Sequence, residues 1–114
     1  MKGILRRVIG TSGANGAQTV STPSGSPKRL LQVLIAYSAT PAYTGTDLKI
    51  TINSGSGAGY DVLLDVGTDN IRYKTYIPDG KVVLKEDDTI DVVAPAGGGV
   101  ITSSVSIYTE EISF

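Results

Sequence analysis

Apolar and polar positions alternate with a period of two through most of the chain. Leu48, Ile50 and Ile52 alternate with Lys49, Thr51 and Asn53, the pattern of a strand with one face in the core and one in water. Tyr60, Val62, Leu64 and Val66 share a face, with Asp61 and Asp65 opposite, and Ile71, Tyr73, Thr75 and Ile77 do the same against Arg72 and Lys74. Ile90 and Val92 point inward around an outward Asp91, and Ile101, Ser103, Val105 and Ile107 carry the alternation into a last strand. Residues 29–38 are apolar on both faces except at Gln32, which predicts a central strand covered on both sides. A short buried helix is the rival there, but the β-branched residues and the flanking Pro27 and Pro41 favour a strand.

Turn chemistry separates these runs. Ser54-Gly55-Ser56-Gly57-Ala58-Gly59 connects two strands, and Pro78-Asp79-Gly80 suits a tight turn with Pro at its first central position. Residues 85–88 form a charged turn and residues 95–99 a flexible one. Ahead of this region lie a short apolar and basic segment, residues 2–9, and a Gly/Ser/Thr/Pro tract, residues 10–27, with a short strand at Gln18–Ser21. The tract holds too little apolar area to offset its own ordering entropy and reads as a loop or arm. The expectation is an all-β chain: one antiparallel β-sandwich, jelly-roll-like, of about eight strands, with an extended N-terminal arm. Residues 1–27 would be the arm and tract, and residues 28–114 the sandwich.

Composition narrows the function more than the fold. At 114 residues there is room for one domain. The chain has no cysteine and no histidine, which removes disulfides, thiolate metal sites and the commonest bases and nucleophiles. Ser-His-Asp and Cys-His constellations cannot be assembled, and a zinc site would need carboxylates alone. A net charge of −1 gives no basic field for nucleic acid, and no run of apolar residues is long enough for a membrane-spanning helix. Residues 1–8 begin like a signal peptide but lack its apolar stretch, so no signal peptide is expected. Charged residues are only 18% of the chain, low for a free subunit and suited to one that neighbours cover.

The remaining candidate chemistry is thin. Glu110 and Glu111 are adjacent on a strand and point to opposite faces, so they cannot form a glycosidase pair. Glu86, Asp87 and Asp88 read as a solvated turn. Asp65, Asp69 and Asn70 have oxygens for calcium but no recognised loop spacing, and Gly67 between them suits a hairpin. The glycines of residues 54–59 lack the Gly-Lys-Ser/Thr ending and the helix of a phosphate cradle. No catalytic residue, metal or cofactor is expected. Among the tyrosines Tyr37, Tyr43, Tyr60, Tyr73, Tyr76 and Tyr108, the alternation puts Tyr60 and Tyr73 inward and leaves Tyr76 and Tyr108 as candidate exposed aromatic contacts. Ile4, Leu5, Arg6, Arg7 and Val8 admit two readings: an edge strand guarded by charge, or an arm that binds a neighbouring subunit.

Two stretches carry a resemblance. Asp47-Leu48-Lys49-Ile50-Thr51-Ile52-Asn53-Ser54-Gly55 with Gly59-Tyr60-Asp61-Val62-Leu63-Leu64 is one, and Val83-Leu84-Lys85-Glu86-Asp87-Asp88-Thr89-Ile90-Asp91-Val92 is the other. Over residues 29–112 the chain resembles small β-sandwich virion proteins of tailed bacteriophages, the capsid decoration or cement proteins among them. The resemblance implies a non-enzymatic virion subunit made in the host cytoplasm. It implies as partners the major capsid protein or other virion subunits and further copies of itself, with a trimer favoured. It carries over no binding residues. The alternative is a carbohydrate- or cell-surface-binding β-sandwich module.

Overall fold

The alternating segments pair into antiparallel sheets in a computed structural model that describes residues 4–11, 17–42, 47–67 and 70–112. Residues 1–3 and 12–16 of the amino-terminal region, Tyr43 and the calcium candidate Asp69 lie outside the described residues. The strands are β1 (Ile4–Thr11), β2 (Gln18–Ser21), β3 (Lys28–Tyr37), β4 (Leu48–Asn53), β5 (Val62–Gly67), β6 (Tyr73–Tyr76), β7 (Val83–Leu84), β8 (Thr89–Ala94) and β9 (Ser103–Glu111). One sheet has the order β1-β9-β3-β6, with β7 also paired to β3; the other has the order β2-β8-β4-β5. With the two-residue β7 set aside, eight strands divide equally between the sheets in the order of a jelly roll. The sandwich and the short strand at Gln18–Ser21 are therefore as the alternation predicts. The described part of the amino-terminal segment is an edge strand of the domain itself, β1 lying antiparallel along β9 from Ile4↔Glu111 to Thr11↔Ser104.

The inward positions of the two sheets interleave. Leu30, Val33, Ile35 and Tyr37 of β3, with Val105 and Ile107 of β9, meet Leu48 and Ile50 of β4 and Ile90 and Val92 of β8, all of them buried. Each such aliphatic side chain contributes about 1.5–3 kcal/mol by leaving water. The polar groups drawn in with them are bonded: the Tyr37 hydroxyl donates to the Pro95 carbonyl at 2.7 Å. Lys28 is buried at the start of β3, where its ammonium donates to the Pro23 carbonyl. Desolvation holds its pKa below the ordinary 10.5, with Glu111 pulling the other way.

Several expectations are corrected. In β5 the shared inward face fails, because the register against β4 shifts between Ile50 and Thr51: Asp65 stands opposite Ile50 and Leu63 opposite Thr51. Leu64 is the extra residue of a bulge, which reverses the alternation, so Asp65 points inward and Leu63 and Val66 outward. Tyr60 is not in the strand at all; it closes the 3-10 turn Ala58–Tyr60 and is 70% exposed. In β6 the faces are swapped: Tyr76 lies opposite Val33 and Lys74 opposite Ile35 on the core side, while Tyr73 lies opposite Ala36 on the outside. Lys74 can face inward because it pairs with Asp65 at 2.8 Å across the open side of the sandwich. The turn at Pro78 begins one residue later than expected, with Pro78 as its first residue rather than its first central one. Lys81 N–H donates to Pro78 O, and Asp79 (φ 55°) and Gly80 (φ 76°) are its central residues, both at the positive φ of a type I′ turn.

Candidate functional site

The outer faces of the two sheets differ in chemistry. In the β2-β8-β4-β5 sheet, pairing puts Thr19 beside Val93, Ser21 beside Asp91, Thr51 beside Asp91 and Asn53 beside Thr89. That face is mostly small polar groups, with Asn53 donating to Asp91 at 3.0 Å. The β1-β9-β3-β6 sheet presents something else. Its register runs in rows that share the outer face: Ile9, Ser106, Leu34 and Thr75 form one, and Thr11, Ser104, Ala36 and Tyr73 the next. On the other side lie Arg7, Tyr108 and Gln32, then Leu5, Glu110, Arg29 and Val83.

This face carries apolar side chains that stand in solvent, most of them on its peripheral strands. Leu5 is 71% exposed, Ile9 50%, Tyr73 64%, Ile77 56% and Val83 50%. Leu31, Leu34 and Ala36 of β3 are half-buried between them. The expected covering of β3 on both sides is thus met on the core side only; within the described chain the outer positions face water. A bulge at Leu31, where the β3–β9 register shifts between Leu30 and Gln32, adds relief to the surface. Beside it a depression of about 240 Å³ is lined by Leu5, Leu31, Gln32, Ile77 and Tyr108.

Charge is interspersed with these apolar side chains. Arg6, Arg7, Arg29 and Arg72 are the chain's only arginines, and all four lie on or at the end of strands of this sheet. Arg7 on β1 places its guanidinium 6.0 Å from the Tyr108 ring centroid. Arg29 on β3 is 4.0 Å from Glu110. Arg72, just before β6, donates to the Ser38 carbonyl at 3.0 Å and sits 5.1 Å over the Tyr73 ring. Arg7 and Arg72 are thus held by rings and a carbonyl, while Arg29 is paired with Glu110, the carboxylate that shares their face.

The sequence-based candidates are divided by the strand. Leu5 and Arg7 point outward into this face. Arg6 points the other way, bonded to Glu111 at 3.3 Å, and Val8 packs half-buried against the core. Ile4 enters the ladder opposite Glu111. Tyr108 is half-buried on the outer face, whereas Tyr76 is packed against the core on the inner one. Asp88 holds its own turn, accepting from Lys85 N and from Gly55 N of the neighbouring turn at 3.1 and 3.0 Å. Asp65, the described calcium candidate on β5, is taken by Lys74. Sequence reasoning missed Ile9, Leu34 and Ile77 as surface residues. The double-sided apolarity of residues 29–38 was the available signal.

No family model matches the chain, and no curated protein does. Among solved structures the chain is similar to a chain of the acid-stable capsid structure of Helicobacter pylori bacteriophage KHP30. That likeness covers 100% of this chain and 97% of the other at 12% identity and a TM-score of 0.52, which makes it a likeness of fold. A crystal structure of FLHE is similar at a TM-score of 0.35 and 13% identity over 91% of this chain.

Proposed function

We propose that the chain is a non-enzymatic structural protein of a phage virion, a decoration or cement protein that binds the shell and further copies of itself. The observation that carries this reading is the end-to-end fold likeness to a chain of a phage capsid structure, in which neither chain is left with a large unmatched part. The low content of charge and the solvent-facing apolar sheet support it, since both are costly in a free subunit and removed by burial in an assembly. Its partners would be the major capsid protein or other virion subunits, and its place the particle. Association of copies into a trimer is favoured. A ring of copies closes through a heterologous contact, and the β5 edge, with Val62 and Leu63 exposed beside it, is an edge that a different strand edge of the next copy would pair with.

The test is the composition of purified particles of the phage whose genome encodes the chain. Mass spectrometry should find it in a fixed ratio to the major shell protein, and added protein should co-sediment with shells that lack it. Absence from particles, together with saturable binding of the isolated domain to a glycan array, would replace this reading with a carbohydrate- or cell-surface-binding module.

A further inference from the structure

We propose that the outer face of the β1-β9-β3-β6 sheet is the surface that meets the shell, and that it takes a protein surface with an apolar projection and carboxylates beside it. The inference rests on the virion reading above and adds to it which face binds and what chemistry it recognises. Three observations carry it. The face exposes aliphatic side chains, Leu5 and Ile9 on β1 and Ile77 just after β6, with Leu34 half-buried on β3, while the opposite outer face presents small polar groups along β2, β8 and β4 and exposes Leu63 and Val66 along β5. Beside the Leu31 bulge the depression of about 240 Å³ offers room for one large apolar side chain, the usual form of an interface anchor. And Arg7 between Leu5 and Ile9 on β1, Arg29 on β3 and Arg72 just before β6 give this face three guanidiniums to the one carboxylate of Glu110, although the chain as a whole carries a net charge of −1.

Charge decides the occupant. A second copy docking by the same face would bring two faces of net positive charge together, and like charges brought together oppose association. A partner with carboxylates opposite the arginines gains where a copy of this chain loses. The net charge of −1 leaves no broad basic field to hold a phosphate backbone, which disfavours nucleic acid. The size is adequate. Four strands about 4.8 Å apart, rising about 3.3 Å per residue over about eight residues, give roughly 500 Å² of flat projection. Each partner gives about 800 Å² of accessible surface to a standard interface.

The experiment uses shells of the encoding phage from which the gene has been deleted, with the purified full chain added back. The variants are Leu34→Glu and Arg7→Glu on the face, and Thr51→Glu on the opposite sheet as control, each checked for an unchanged thermal midpoint. We expect Leu34→Glu and Arg7→Glu to lower shell occupancy at least tenfold at subsaturating protein, and Thr51→Glu to leave it as it was. Wild-type occupancy should fall as salt rises from 0.1 to 0.5 M, as screening of the arginines requires. If wild type binds and the face variants bind equally well, the face is wrong and the virion reading stands. If wild type does not bind, both fall. Three further assays use the same variants: light scattering of the free chain, sedimentation with phosphatidylglycerol vesicles, and binding to a single-stranded thymidine oligomer. Self-association, vesicle binding or oligomer binding that Leu34→Glu abolishes would overturn the proposed occupant.

Discussion

Thr22 sits where β2 ends and Pro23 turns the chain away. The ladder with β8 would lose its next bond there, since Pro23 redirects the backbone. Thr22 N–H still donates to Ile90 O at 3.0 Å, and the Thr22 hydroxyl accepts from Ile90 N–H at 2.9 Å in place of a carbonyl. Both groups are out of water. Thr22→Val keeps the volume and removes the acceptor, so a buried N–H is left without a partner at a cost of about 1–3 kcal/mol. The urea midpoint should fall with the slope unchanged. The same reasoning explains why Lys28 is tolerated inside: its ammonium reaches Pro23 O, so one loop residue supplies the bond that burial demands.

Strands are set by how closely their neighbours approach. At Gly10 the alternation of β1 points inward opposite Val105, and a methyl group there would collide with Val20 and Gln18 of β2. Gln18 cannot simply swing aside without giving up its bond to the Ser103 hydroxyl at 2.7 Å. Gly10→Ala should therefore cost about 1–3 kcal/mol through overpacking, more than the ~0.5–1 kcal/mol that Ala gains over Gly in chain entropy; a lowered melting temperature would register it. Legibility of the elements follows from the same constraint. β4, β8 and β9 were readable because each keeps an unbroken alternation of inward and outward positions against the core, so period two and burial coincide. β5 and β6 were not, because both end their sheets. There one added residue at Leu64 reverses a face, and a Lys at position 74 can point inward when an Asp from the other sheet meets it. The binding face was half legible: residues 29–38 showed apolar surplus on two sides, but only the pairing revealed that Ile9, Tyr108 and Ile77 join its outer side.

On the scale of the whole molecule the two sheets are open along β5 and β6, and the Asp65–Lys74 pair ties them at 2.8 Å. Both side chains are about a quarter exposed, so solvent screens the pair and its coupling belongs near the upper end of surface pairs, about 0.5–1 kcal/mol. A double-mutant cycle with Asp65→Ala and Lys74→Ala should return that coupling energy and lose most of it in high salt. The jelly-roll connectivity also governs when the protein can come into being. β9 lies between β1 and β3, so the larger sheet has a gap at its centre until Ser103–Glu111 has left the ribosome. A nascent chain holding the first eight strands would carry β3 with one edge open and its leucines bare, and β1 without a partner. Folding by such distant pairings is slow, which makes fresh translation products of this chain natural clients for chaperones.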